Sequence, residues 1–132
     1  MASTGRAAGA VALAGVWIGV SEFLRNQFLL SDAWVRHFES LGRDFPSAPV
    51  NGVVWIVWGF VFAAAVYAVS RRFPLAHTTL IGWTSAFLMM WLVTWNLEVL
   101  PASILAYAVP LSLLESFVAA WICRAVSPPR RV

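Results

Sequence analysis

Three glutamates and one arginine, Glu22, Arg25, Glu98 and Glu115, stand within long runs that otherwise carry almost no charge. A charged side chain at the centre of a membrane-crossing helix costs about 2.5 to 3.5 kcal/mol on insertion scales, so each of the four is a candidate for function. Glu22 and Arg25 lie three residues apart, the spacing at which helical side chains meet as an ion pair. Three carboxylates facing one guanidinium leave surplus negative charge, and like charges in a low-dielectric site cannot all stay ionised. Such a group suits proton exchange, a cationic ligand, or general acid–base chemistry. Glu22, Glu98 and Glu115 are therefore the candidate proton-exchanging or acid/base residues, with Arg25 and Asn26 placed to orient a polar group.

Tryptophan supplies a second signal, with eight in 132 residues. Interfacial belts account for Trp34, Trp121 and Trp55. They account less well for Trp58, which lies roughly 12 Å into its run at 1.5 Å per residue, or for Trp91, which is similarly deep. Trp55 and Trp58 share a helical face, as do Trp91 and Trp95, with Thr94 beside them. Aromatic faces next to carboxylates can hold an organic cation. The candidate ligand-binding set is thus Arg25, Asn26, Trp55, Trp58, Trp91, Thr94 and Trp95.

The elements that must position these residues follow from hydropathy. Hydrophobic residues make up 61% of the chain and charged ones 11%, against about 25% charged in soluble domains. Four apolar runs, 7–30, 50–70, 75–100 and 104–126, are each long enough to cross a bilayer. The expected fold is an all-α integral membrane bundle of four transmembrane helices forming a single domain over 1–132. Short turns make spans two, three and four antiparallel neighbours. In span one Ala8, Ala12, Gly15, Gly19, Glu22 and Asn26 fall on one stripe, and in span four Ala108, Ser112, Glu115, Ala119 and Cys123 do the same. Small residues in such stripes allow close helix approach, within the bundle or against a partner chain. Pro110 lies about one turn before Glu115, where it frees a carbonyl and bends the helix.

Within the connecting loop 31–49, Trp34, Phe38 and Leu41 recur at i, i+4 and i+7, which predicts a short amphipathic helix lying in the membrane interface. Ser31 or Asp32 is placed to cap it, and Gly42 to end it. Arg6, Arg71, Arg72, Arg124, Arg130 and Arg131 lie on one side of the spans, and only Arg36 and Arg43 on the other. That asymmetry places both termini in the cytoplasm, in a bacterial inner membrane. The apolar run after Arg6 continues past the length of a signal h-region, so a retained anchor is expected.

Several chemistries are disfavoured. The single cysteine, Cys123, permits no intrachain disulfide or dithiol relay. His37 and His77 fall on opposite sides, so they cannot ligate one haem. No carboxylate has a histidine at helical spacing, so neither a metal nor a cofactor is expected. The few arginines of the tail match anionic lipid rather than nucleic acid. Expected partners are membrane lipid, a small-molecule or cationic ligand, and a second copy or a larger membrane complex.

Three functions fit these residues. The first is proton- or cation-linked transport of a small solute by an oligomer. In size and plan the chain resembles the small multidrug resistance transporters, short four-span chains with an acid in the first span. The second is a membrane-embedded enzyme acting on a lipid-soluble substrate through glutamate acid–base chemistry. The third is a structural subunit of a larger membrane complex.

Overall fold

The computed structural model describes residues 2–129, and among these every regular element is helical. Arg130 and Arg131, which contribute to the expected orientation, lie outside the described residues. Helix α1 spans Ala2–Phe23 and runs into a π-helical turn, Leu24–Leu29; α2 spans Ser31–Ser40 and α3 Pro49–Ser70. Helix α4, Leu75–Trp83, passes through a second π-helical turn, Thr84–Leu88, into α5, Met89–Asn96. A single 3₁₀ turn, Ala102–Ile104, then opens α6, Leu105–Val126. Four of the resulting helical stretches are long and apolar enough to cross a membrane: Thr4–Leu29, Pro49–Ser70, Leu75–Asn96 and Ala102–Val126.

Helix α1 packs against α3 and α6, and α4 packs against the same two helices from the other side. The core is built from small and medium side chains, among them Ala14, Ile18, Ala63, Val66, Ala119 and Cys123. Small residues let the backbones approach, which is where membrane helices gain most of their packing energy. The outward faces are almost wholly apolar. In α3, Val53, Val54, Ile56, Val57 and Val61 are each more than half exposed, as suits a helix surrounded by hydrocarbon. The α6 stripe of Ala108, Ser112, Glu115, Ala119 and Cys123 is buried throughout, as its spacing predicts.

The α1 stripe is the expected one only in part: Gly15 and Glu22 are buried and Gly19 and Asn26 half-buried, whereas Ala8 and Ala12 are exposed, and Ala10, Ala14, Ile18 and Arg25 complete the buried line. The line then breaks regular periodicity, because the Leu30 N–H bonds the Arg25 carbonyl at 2.9 Å, five residues back. That wider turn inserts one residue, so Leu30 is buried while Leu29 is 59% exposed. The second π turn acts likewise in the third span. Met89 N–H bonds the Thr84 carbonyl, and the buried face passes from Gly82 to Phe87, five residues on, and then to Trp91. Single π turns of this kind are frequent at functional sites.

Helices α2 and α5 end in the same way. After α2, the Arg43 N–H bonds the Phe38 carbonyl at 3.0 Å and the Gly42 N–H bonds that of Glu39 at 2.9 Å, with Gly42 at φ 68°. After α5, the Val99 and Glu98 N–H groups bond the carbonyls of Thr94 and Trp95, each at 3.0 Å, with Glu98 at φ 61°. Both are Schellman ends, which favour glycine at the left-handed position. The expectation that the third span continues to residue 100 is corrected here, since Glu98 terminates the helix just beyond Asn96. Ser31 and Asp32 do not cap α2, whose side-chain cap position is taken by Leu30. At the opposite end of the bundle, Arg124 donates to the carbonyls of Ser70 and Phe73 at 3.1 and 2.8 Å, satisfying the end of α3.

A side chain in the left-handed region costs roughly 1 to 2 kcal/mol that glycine does not incur. Glu98→Gly is therefore expected to stabilise the detergent-solubilised protein by about 1 kcal/mol. Gly42→Ala should destabilise it by a similar amount. Unfolding titrations in mixed micelles measure both.

Candidate functional site

The charged groups converge where the first π turn brings α1 against α6. Arg25 Nη1 donates to Glu115 Oε2 at 2.8 Å, and Arg25 Nη2 donates to Glu22 Oε1. Both ion pairs are buried, with Glu115 fully enclosed. Taking an ion out of water costs several kcal/mol even after relaxation, and the mutual attraction offsets this only where the remaining lone pairs are also satisfied. Here the neighbours supply donors. Ser21 Oγ donates to Glu115 Oε2 at 2.7 Å, Asn26 Nδ2 to Glu22 Oε2 at 2.7 Å, and Trp34 Nε1 to Asn26 Oδ1 at 3.1 Å. The Trp17 indole donates to the Glu115 backbone carbonyl at 3.0 Å, fixing α1 against α6 at this level. One oxygen is left over: Glu115 Oε1 is buried without a partner, as is Ser116 Oγ.

The cluster forms one wall of a cavity of about 370 Å³. Glu22, Arg25 and Asn26 face it, whereas Glu115 lies behind them. The other walls combine six aromatic rings, Trp34 and Phe38 from α2, Phe45, Trp55 from α3, and Phe87 and Trp91 from the third span, with aliphatic side chains such as Val54, Met90 and Ile104. Trp55, Phe87 and Trp91 belong to a ladder connected through Trp58. Trp55 meets Trp58 at 5.6 Å between centroids, Trp58 meets Phe87 at 5.8 Å, and Phe87 meets Trp91 at 5.8 Å. The guanidinium of Arg25 sits over the Phe87 ring, 5.2 Å from its centroid. Cation and quadrupole attract at that distance, so Arg25 is held by two carboxylates and one aromatic face.

Three of the lining rings, Trp34, Phe38 and Phe45, pack on one another at 5.3 to 6.4 Å between centroids. Helix α2 is tied to the end of α5 by a hydrogen bond between His37 Nε2 and the Glu98 carbonyl, 2.8 Å.

Of the residues expected from sequence, Glu22, Arg25, Asn26 and Glu115 come together, and Trp55, Trp91 and Thr94 line the same cavity. The Thr94 hydroxyl is turned into its own helix, donating to the Met90 carbonyl at 2.9 Å. Three expected members stand apart. Glu98 is exposed and contributes its backbone carbonyl rather than its carboxylate. Trp95 is 61% exposed on the outer face of α5. Trp58 lies behind the wall, packed on Phe62 and Phe87. Trp34, assigned above to an interfacial belt, also forms a wall of the cavity and donates to Asn26.

Phe87, Ser21 and Trp17 were not singled out in the sequence. Phe87 is separated from Gly82 by the irregular step of a π turn, which helical periodicity does not anticipate. Ser21 does follow from spacing, since it lies four residues before Arg25, and Trp17 lies four residues before Ser21 on the same face of α1. Among the described residues no cluster of histidine, cysteine and carboxylate is close enough to hold a metal ion.

Removing one partner of a buried ion pair costs about 3 to 5 kcal/mol, because the charge left behind is uncompensated. Arg25→Met should destabilise the protein by that amount, and the triple variant Arg25→Met/Glu22→Gln/Glu115→Gln should recover most of the loss. Stepwise unfolding of the series provides the measurement, and losses that simply add would show that the three groups are not coupled. Comparison of the chain with family models, with curated proteins and with solved structures gives no match, so what the site can do rests on its own geometry.

Proposed function

We propose that this chain is a membrane protein that binds a small organic cation in its aromatic cavity and exchanges it against a proton held by the Glu22–Arg25–Glu115 cluster. The arrangement of that cluster carries the reading. Two carboxylates share one guanidinium, so the site has room for one further positive charge, which either a proton or a bound cation supplies. Glu22 borders the cavity and meets the ligand directly. Glu115, behind Arg25, has one oxygen occupied by Ser21 and Arg25 and the other bare, and the bare oxygen is where a proton resides. A cation entering the cavity competes with Arg25 for Glu22 and for the Phe87 face. As Arg25 yields Glu22 it is drawn toward Glu115, and the proton there becomes unfavourable. Ligand and proton are thus linked through one side chain.

The placement in the membrane follows from charge. The arginines at the end of the bundle remote from α2 lie in the cytoplasm together with both termini, and the cavity opens outward. Helix α2, with its aromatic side turned to the cavity and Asp32, Arg36 and Glu39 exposed, lies in the outer interface as a cover. The small-residue face of α6 is filled by α1 and α4 of the same chain, so the exchange described here needs no second copy.

The test is proton-gradient-driven uptake into proteoliposomes, with tetramethylammonium as the first probe and larger organic cations after it. Glu22→Gln and Glu115→Gln should each lower gradient-dependent uptake about tenfold or more, the effect of losing roughly 1.4 kcal/mol of cation binding. Glu98→Gln should leave it unchanged. Uptake insensitive to both of the first two changes would remove this reading.

A further inference from the structure

The end of the bundle remote from the aromatic cavity collects arginines and no acid. The turn between α3 and α4 carries Arg71 and Arg72, and Arg124 stands in the last turn of α6. Arg6 belongs to the same end, one turn before Gly9, which approaches Val126. The acidic side chains of the chain all lie elsewhere, in α2, in the loops on the cavity side, or in the ion cluster. Salt bridges among the described residues are confined to Arg25, so the arginines at this end meet no carboxylate there.

Two of them are nevertheless drawn together. Arg124 Nη1 donates to the Ser70 carbonyl at 3.1 Å and Arg71 Nη2 to the Ser70 hydroxyl at 3.4 Å, so both guanidinia meet on one residue. Arg71 also lies over the Tyr67 ring, 4.8 Å from its centroid, a contact that positions the guanidinium without using an N–H. Its remaining contacts are long. Nη1 reaches Ser127 Oγ at 3.4 Å, Ser127 Oγ lies 3.3 Å from the Tyr67 hydroxyl, and the enclosed Nε has no partner. Well-formed hydrogen bonds to oxygen close to about 2.7 to 3.2 Å. Helix capping accounts for Arg124, which ends α3, but the Arg71 side chain touches no backbone carbonyl. Two neighbouring positive charges bonded only to neutral groups repel one another until an anion joins them.

We propose that Arg71 and Arg124, with the adjoining hydroxyls of Ser127 and Tyr67, form a binding site for a phosphate group. The planar fork of a guanidinium matches two phosphate oxygens, and charge-assisted bonds of this kind are short and strong. The hydroxyls supply further donors, and the phosphate brings the negative charge that the chain withholds from this end. Basic pockets between membrane helices hold lipid head groups by the same chemistry, and a soluble phosphate offers the same oxygens. The site stands at the far end of the 22-residue α3 from the cavity, roughly 30 Å away at 1.5 Å per residue. It is therefore independent of the cation exchange proposed above.

The test titrates the full-length protein in neutral detergent and follows saturable binding by the rise in its thermal unfolding midpoint. One arm adds phosphatidylglycerol, with phosphatidylcholine as its control; the other adds inorganic phosphate, with chloride at equal ionic strength. Saturation in the lipid arm alone assigns the phosphate to a lipid head group, and saturation in the second arm assigns it to a soluble phosphate. In whichever arm responds, Arg71→Gln and Arg124→Gln should each raise the half-saturating concentration at least tenfold. The double variant Arg36→Gln/Arg43→Gln, which removes two charges from the opposite end, should leave it unchanged. Because Arg124 also ends α3, Arg71→Gln decides the matter where Arg124→Gln is poorly folded. The site is overturned if neither arm saturates beyond its control, if saturation is indifferent to Arg71→Gln, or if the Arg36/Arg43 variant weakens it equally.

Discussion

One guanidinium shared by two carboxylates organises this molecule. Arg25 cannot be buried alone, and neither can Glu22 or Glu115, so the three require one another before any helix can close over them. That requirement fixes the level at which α1 meets α6 and the rotation of each helix about its axis. The supporting donors extend the constraint outward, from Ser21 and Trp17 on α1 to Asn26 and then to Trp34 on α2. A polar chain so begun in the middle of the bundle reaches α2, which is thereby coupled to the ion cluster by hydrogen bonds through Asn26.

The two π turns serve that same constraint. Regular helices would place Leu29 and Ala86 on the buried faces, and both turns insert one residue so that Leu30 and Phe87 lie there instead. Each wide turn weakens the local hydrogen-bond geometry and has to be offset by tertiary contacts. The first is offset by the ion pairs of Arg25, and the second by the rings that surround Phe87. Because Arg25 rests on Phe87, the two irregularities meet at a single contact.

How far the sequence discloses this follows from its individual residues. The four spans are legible because long apolar runs have few other uses, and the α6 stripe is legible because α6 remains a regular helix across Glu115 despite Pro110. Span one is legible only in part: Glu22 and Arg25 meet as their spacing implies and Gly15 of the small-residue stripe is buried, but Ala8 and Ala12 of that stripe face outward. Glu98 misleads for a different reason. Its charge draws attention, whereas its backbone, held at positive φ to end α5, is what the fold uses. Trp34 and Trp95 show that a tryptophan near a span end carries no information about the side it faces. That distinction arises from tertiary packing, which periodicity does not encode where a helix changes pitch.

The position of the cluster along the bundle has an electrical consequence. Glu22, Arg25 and Glu115 lie within the apolar length of their spans rather than at its ends, and in the proposed placement they stand inside the membrane's electric field. Moving one elementary charge through the whole field corresponds to about 2.3 kcal/mol per 100 mV. A cation descending from the outer mouth to Glu22 crosses only part of that drop. Under the proposed function, occupancy of the site acquires a dependence on membrane voltage, with a negative interior drawing cations inward and holding them there. The depth chosen by one ion cluster thus sets how strongly the membrane potential, as well as concentration, governs what it binds.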